Sequence, residues 1–126
     1  MDKKDLLYRD LSYKVIGCAF KVHRILGCFL PEHVYQKSLS TELQLSGIIN
    51  CTSQKSFQVY YQSVYAGHFF TDIIVEDKMI LELKSSEKIT KEHQCQLLTY
   101  LHLSHIKVGF VINFGTSSLK YKRLIL

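Results

Sequence analysis

The chain has 126 residues and a mass of 14.7 kDa, so residues 1–126 are read as a single domain. Hydrophobic residues make up 47%, charged residues 21%, and proline occurs once, which excludes a disordered, collagenous or low-complexity chain. No apolar run reaches the ~18–20 residues that a bilayer span needs, so no membrane association is expected. Sixteen Lys/Arg against eleven Asp/Glu leave a net charge of +5, compatible with a polyanionic partner such as nucleic acid. The opening MDKKDLLYRDLSYK is charged and lacks an apolar h-region, which reads against a signal peptide. The expected location is therefore the cytoplasm. Cys18, Cys28, Cys51 and Cys95 stand far apart and are expected to stay reduced.

In chain order, the apolar spacing predicts a helix over 12–26, with Ser12 as its N-cap and Gly27 as its stop. A second helix is expected from Pro31, a residue suited to a first helical turn, to Gly47. Residues 48–55 are small and polar and read as a loop. From there the period changes to two. KSFQVYYQSV, over 55–64, reads as a strand, Ala66-Gly67 as a turn, and HFFTDIIVE, over 68–76, as a second strand. Asp77-Lys78 gives a tight connection to a third strand, KMILELKS. Thr90 is a candidate N-cap for a helix through Ser104. The nearly all-apolar KVGFVINF, over 107–114, suits an interior strand, and Leu119–Leu126 an edge strand. The order α-α-β-β-β-α-β-β is that of an α/β layered domain with a mixed sheet.

Strand alternation places Asp72, Glu82 and Lys84 on one face if the second and third strands pair as a hairpin. Charges inside apolar strands are costly unless paired or metal-bound. One possibility is a plain ion pair between Glu82 and Lys84 at i, i+2, which leaves Asp72 without a purpose. The other is a site for Mg²⁺ or Mn²⁺, whose oxygen ligands would be the two carboxylates and a backbone carbonyl. A neighbouring lysine would then orient water. His102 and His105, with Cys95 nearby, lack the paired spacing of structural zinc sites.

Thr71-Asp72, then Glu82-Leu83-Lys84 with Glu82 ten positions after Asp72, resembles the D…(D/E)xK pattern of the PD-(D/E)XK nuclease superfamily. Longer segments resemble its GxxExxY family in order. LGCFLPEHVY (26–35) is similar to LGPGFLExVY, and DIIVEDKMILELK (72–84) to DxxVEDKxIxELK. HQCQLLTYL (93–101) is similar to HxxQLLxYL, VINFG (111–115) to INFG, and KRLIL (122–126) to KRxxL. The resemblance covers about Leu11 to the end. It departs where Phe29 replaces a glycine, Pro31 a leucine, Thr71 the common proline, and Phe70 a basic residue.

The resemblance implies a restriction-endonuclease-like core, a mixed β-sheet flanked by helices. It implies a metal-dependent nuclease that uses Mg²⁺ or Mn²⁺ on nucleic acid, DNA more readily than RNA. Asp72, Glu82 and Glu32 would be metal ligands together with the Leu83 carbonyl, and Lys84 the catalytic lysine. Gln96 and Tyr100, at i, i+4 on one helix face, match the QxxxY element of RecB-like nucleases, and His93 shares that face. A homodimer would suit cleavage of two strands. The rival expectation is a nuclease-like module that binds nucleic acid or protein without cutting.

Overall fold

The computed structural model describes residues 7–126; the start of the charged opening stretch, residues 1–6, lies outside the described residues. The described residues form three helices and five strands in the expected order. They are α1 (Arg9–Leu26), α2 (Glu32–Leu45), β1 (Cys51–Tyr61), β2 (Val64–Val75), β3 (Met79–Lys84), α3 (Lys91–Ser104), β4 (Val108–Asn113) and β5 (Lys120–Ile125). The strands form one sheet in the order β1-β2-β3-β4-β5. Only β3 and β4 run parallel, because α3 carries the chain back across the sheet between them.

Alternation along β2, β3 and β4 sorts the core into two layers. Ile73, Val75, Leu81, Leu83, Phe110 and Ile112 face α1 and α2, which contribute Val15, Ala19, Val22, Tyr35, Leu39 and Leu43. Ile74, Ile80 and Val111 face the other way, against Leu97 and Leu101 of α3. The interior position expected for β4 follows, since every residue of Val108–Asn113 is buried. No helix among the described residues is long and apolar enough to cross a membrane.

Four local expectations are corrected. Ser12 is not a cap: α1 begins one turn earlier, with Tyr8 in the left-handed region, and Ser12 lies buried within the helix. The extra turn lets Leu11, with Leu7 and Tyr8 before it, pack against the core, an apolar gain that outweighs a capping bond. Pro31 is the N-cap of α2 rather than its first helical residue. Residues 51–55 are strand, not loop, because Cys51, Thr52 and Ser53 pair with the buried Val75, Ile74 and Ile73. An edge strand bonded to a buried neighbour tolerates polar side chains that propensity alone disfavours. The hairpin turn sits at Gln62-Ser63, both with positive φ, rather than at Ala66-Gly67. Gly67, at φ 153°, instead serves a β-bulge where the β1–β2 register slips at Val59/Tyr60.

Tight contacts fix the loops that surround the end of β3. Tyr35 is fully buried, stacks on Phe114 at 4.5 Å, and donates its hydroxyl to the Gly27 carbonyl at 2.6 Å. It thereby holds the α1–α2 loop. The Asn113 side chain acts like one more strand residue. It accepts from Ser86 N–H at 3.0 Å and donates to the Ser86 carbonyl at 2.9 Å. Gly115 makes that approach possible, since a Cβ there would lie 2.3 Å from Ser86 N and 2.4 Å from its carbonyl oxygen.

Two substitutions test these constraints. Gly115→Ala is expected to destabilise by about 3 kcal/mol, a fall of roughly 10 °C in Tm, read by thermal melting. Phe29, at φ 76° and 86% exposed, bears left-handed strain without burial in return. Phe29→Gly is expected to stabilise by about 0.5–1 kcal/mol, after the extra freedom of unfolded glycine is subtracted.

Candidate active site

β2 and β3 pair through Val75–Met79, Ile74–Ile80 and Ile73–Leu81, and there the backbone ladder stops. The next opposed residues are Asp72 and Glu82. Their carboxylates replace the missing rungs. Leu83 N–H donates to Asp72 Oδ2 at 2.7 Å, and Asp72 N–H points to Glu82 Oε1 at 3.4 Å. Backbone N–H groups this deep need partners, and here side chains supply them. A residue's N–H and C=O leave a strand on the same edge, so the Leu83 carbonyl faces the Asp72 side as well.

The two acids share a poorly solvated space. Glu82 is 5% exposed. Burial and then the Asp72 charge push its carboxyl pKa up to about 9. Without a cation, Glu82 therefore holds a proton at neutral pH. A divalent ion would take the place of that proton, and Mg²⁺ needs only one or two carboxylates beside its waters. The donor set thus suits such a cation. No group of three or more His, Cys, Asp or Glu side chains converges as a metal site among the described residues.

Lys84 follows on the same strand face, half-buried. The two salt bridges found among the described residues are Lys21–Glu42 and Lys55–Asp77, so Lys84 and Glu82 form no ion pair. Glu32, the first residue of α2, reaches Ser85 N–H at 3.4 Å, one residue past Lys84. It thus stands beside Lys84 rather than between Asp72 and Glu82.

Helix α3 closes the site from the other side. Tyr100 stacks on Phe69 of β2 at 4.3 Å, and Phe69 stacks on Phe57 of β1 at 5.3 Å. Burial, then the Glu82 and Asp72 charges, raise the Tyr100 pKa, which sets its hydroxyl within their field. Gln96 is exposed one turn earlier. Thr90 caps α3 as expected, and His93 completes a capping box: Thr90 N–H donates to His93 Nδ1 at 3.1 Å. Nδ1 is therefore an acceptor, and neutral His93 carries its proton on Nε2. Burial and then the Lys84 charge lower its pKa.

A cleft of about 690 Å³ opens next to Glu32 and is lined by Phe29, His33, Ser85 and Ser86. A larger cavity of about 860 Å³, between α1 and the β4–β5 strands, contains none of these site residues.

The sequence matches the PD-(D/E)XK nuclease superfamily over residues 9–124. The chain belongs to that superfamily. It matches no curated protein. Among solved structures, the crystal structure of SSO0001 is similar, with a TM-score of 0.58 and 17% identity over 94% of this chain. This chain spans 59% of the length of SSO0001. The likeness is one of fold: a mixed five-stranded sheet with flanking helices, α/β and restriction-endonuclease-like.

Within the superfamily's D…ExK pattern, the three strand residues occupy one end of the β2–β3 pair, with Tyr100 behind them. Two neighbours escaped the sequence analysis. Gln54 of β1 donates to Gln36 Oε1 at 2.8 Å and lies 3.5 Å from Asp72 Oδ1. Gln36 had a detectable signal, being four residues after Glu32 on one helix face. Gln54 had none, because it lies in the segment read as loop.

Glu82 makes stability depend on pH. Its folded pKa exceeds the ordinary value of 4.5, so the folded state keeps a proton that the unfolded chain releases. That stabilisation is complete below 4.5 and is lost as pH rises towards about 9. In EDTA, Tm is expected to fall across this window, and Glu82→Gln to flatten the fall. An unchanged slope in the variant would refute the assignment.

Proposed function

We propose that this chain is a divalent-metal-dependent nuclease of the GxxExxY kind, hydrolysing phosphodiester bonds in DNA. The observation that carries this reading is the pairing of Asp72 and Glu82 where the β2–β3 ladder ends, beside a lysine that forms no ion pair among the described residues. A purely structural Glu82–Lys84 bridge would have accounted for the motif without chemistry. Without that bridge, the buried Glu82 carboxyl and the half-buried Lys84 ammonium are both left to face the space beside Asp72.

In this reading Asp72, Glu82 and the Leu83 carbonyl would hold Mg²⁺ or Mn²⁺, with Glu32 at the margin. The cation supplies Lewis acidity, which makes water more acidic and offsets charge on the phosphate. Lys84 orients the attacking water and meets the negative charge that develops on the phosphoryl oxygens. One P–O bond forms as the bond to the leaving oxygen breaks, and no covalent enzyme intermediate arises. Gln96 and Tyr100 line the approach from α3. A net charge of +5 favours a polyanionic substrate.

A cleavage assay tests this. Single-stranded, duplex and branched DNA, with RNA alongside, are incubated with Mg²⁺, Mn²⁺ or EDTA. Cleavage is expected to require metal. Lys84→Ala is expected to lose at least ~10²-fold in rate while melting at the wild-type temperature. Full activity in Lys84→Ala would defeat the assignment. Tight binding of nucleic acid with no cleavage in any arm would favour a non-cutting binding module.

A further inference from the structure

Eight non-glycine residues among those described have positive φ, and Gln54, at 52°, is the one inside a strand away from its ends. The others occupy turns, loops or helix caps. Gln54 falls between the pairs Ser53–Ile73 and Lys55–Thr71, which puts it opposite Asp72. The left-handed backbone is unfavourable for a residue with a Cβ. The side chain is exposed, so burial gives nothing in return. Strain of this kind persists when the surroundings enforce it, and it gathers at functional sites.

The Gln54 amide has a defined task in the geometry. Its Nε2 donates to Gln36 Oε1 at 2.8 Å and lies 3.5 Å from Asp72 Oδ1. The other oxygen of the same carboxylate, Oδ2, accepts from Leu83 N–H at 2.7 Å. Asp72 is thus approached by donors from both flanking strands, one per oxygen. Gln36 lies one helical turn beyond Glu32, so the amide pair also ties α2 to the Asp72 carboxylate.

We propose that Gln54, braced by Gln36, is a positioning residue that orients the Asp72 carboxylate toward a divalent cation, and that its backbone strain is retained for that purpose. The proposal rests on the metal-dependent reading above. Groups that hydrogen-bond a ligating carboxylate fix its direction, and removing one typically costs ~10–100-fold in metal affinity or activity.

The test uses the full chain, thermal melting in EDTA, and Mn²⁺ titration followed by the rise in Tm. Gln54→Gly adopts the same backbone freely. It is expected to raise Tm in EDTA by ~2–5 °C while weakening Mn²⁺ by ~10-fold or more. Gln54→Asn tolerates the left-handed backbone but ends one methylene short. It is expected to lose Mn²⁺ affinity to a similar degree with less gain in Tm. Gln36→Leu is expected to weaken Mn²⁺ several-fold with Tm in EDTA unchanged, and it keeps the proposal testable if a Gln54 variant misfolds. Asp72→Asn, as control, abolishes the Mn²⁺ shift. A Gln54→Gly protein that binds Mn²⁺ like the wild type, or that melts lower in EDTA, overturns the positioning role and leaves the nuclease reading standing. A wild type with no Mn²⁺ shift overturns both.

Discussion

The site rests on the loss of backbone pairing between β2 and β3 beyond Ile73 and Leu81. Two strands that part inside a sheet leave donors unmet, and buried donors without partners are costly. Asp72 and Glu82 meet them, the first through Leu83 N–H and the second through Asp72 N–H. The acids are therefore part of the sheet's hydrogen bonding. An apolar pair in their place would orphan those groups. Two acidic side chains are retained inside the sheet because they complete its hydrogen bonding.

The surrounding motif residues divide the labour. Tyr35, Phe114, Asn113 and Gly115 touch no carboxylate of the site. They pack the α1–α2 loop against the segment that leaves β4, and they draw Ser86 to Asn113. Glu32 follows the α1–α2 loop, and Lys84 precedes the β3–α3 segment that carries Ser86. Ser86 approaches Gly115 so closely that a single methyl group there has no room. Part of the resemblance visible in the sequence thus reflects the construction of the site rather than its chemistry.

The parts of this arrangement that were legible beforehand are those set by short-range periodicity. The two-residue alternation of TDIIV and MILELK placed Asp72, Glu82 and Lys84 on one face, and Thr90 marked the start of α3. The parts that were not legible depend on partners distant in sequence. Cys51–Ser53 are polar and read as loop, yet Ile73–Val75 supply the pairing that makes them a strand. Ser12 looked like a cap because its neighbours Tyr8 and Leu11 could not be seen to reach the core. Gly67 advertised a turn, whereas its freedom of φ serves a bulge. Gln54 carries no local signal at all, since nothing in a serine- and glutamine-rich stretch announces a left-handed residue in mid-strand.

Backbone strain is also unevenly placed. Tyr8 and His105 lie at helix caps, and Gln62, Ser63, Glu76 and Asp77 in the two β-turns, where positive φ is what the connection requires. The remaining two non-glycine residues are Phe29 and Gln54. Phe29 lines the cleft next to Glu32, and Gln54 stands opposite Asp72. Neither side chain recovers its strain by burial. The compensation comes from the sheet centre, where β3 and β4 are packed on both faces and hold their neighbours in place. A domain selected for stability alone would relax both positions with glycine. This one keeps a phenylalanine beside Glu32 and a glutamine opposite Asp72, so at both positions a side chain is retained where glycine would cost the backbone less.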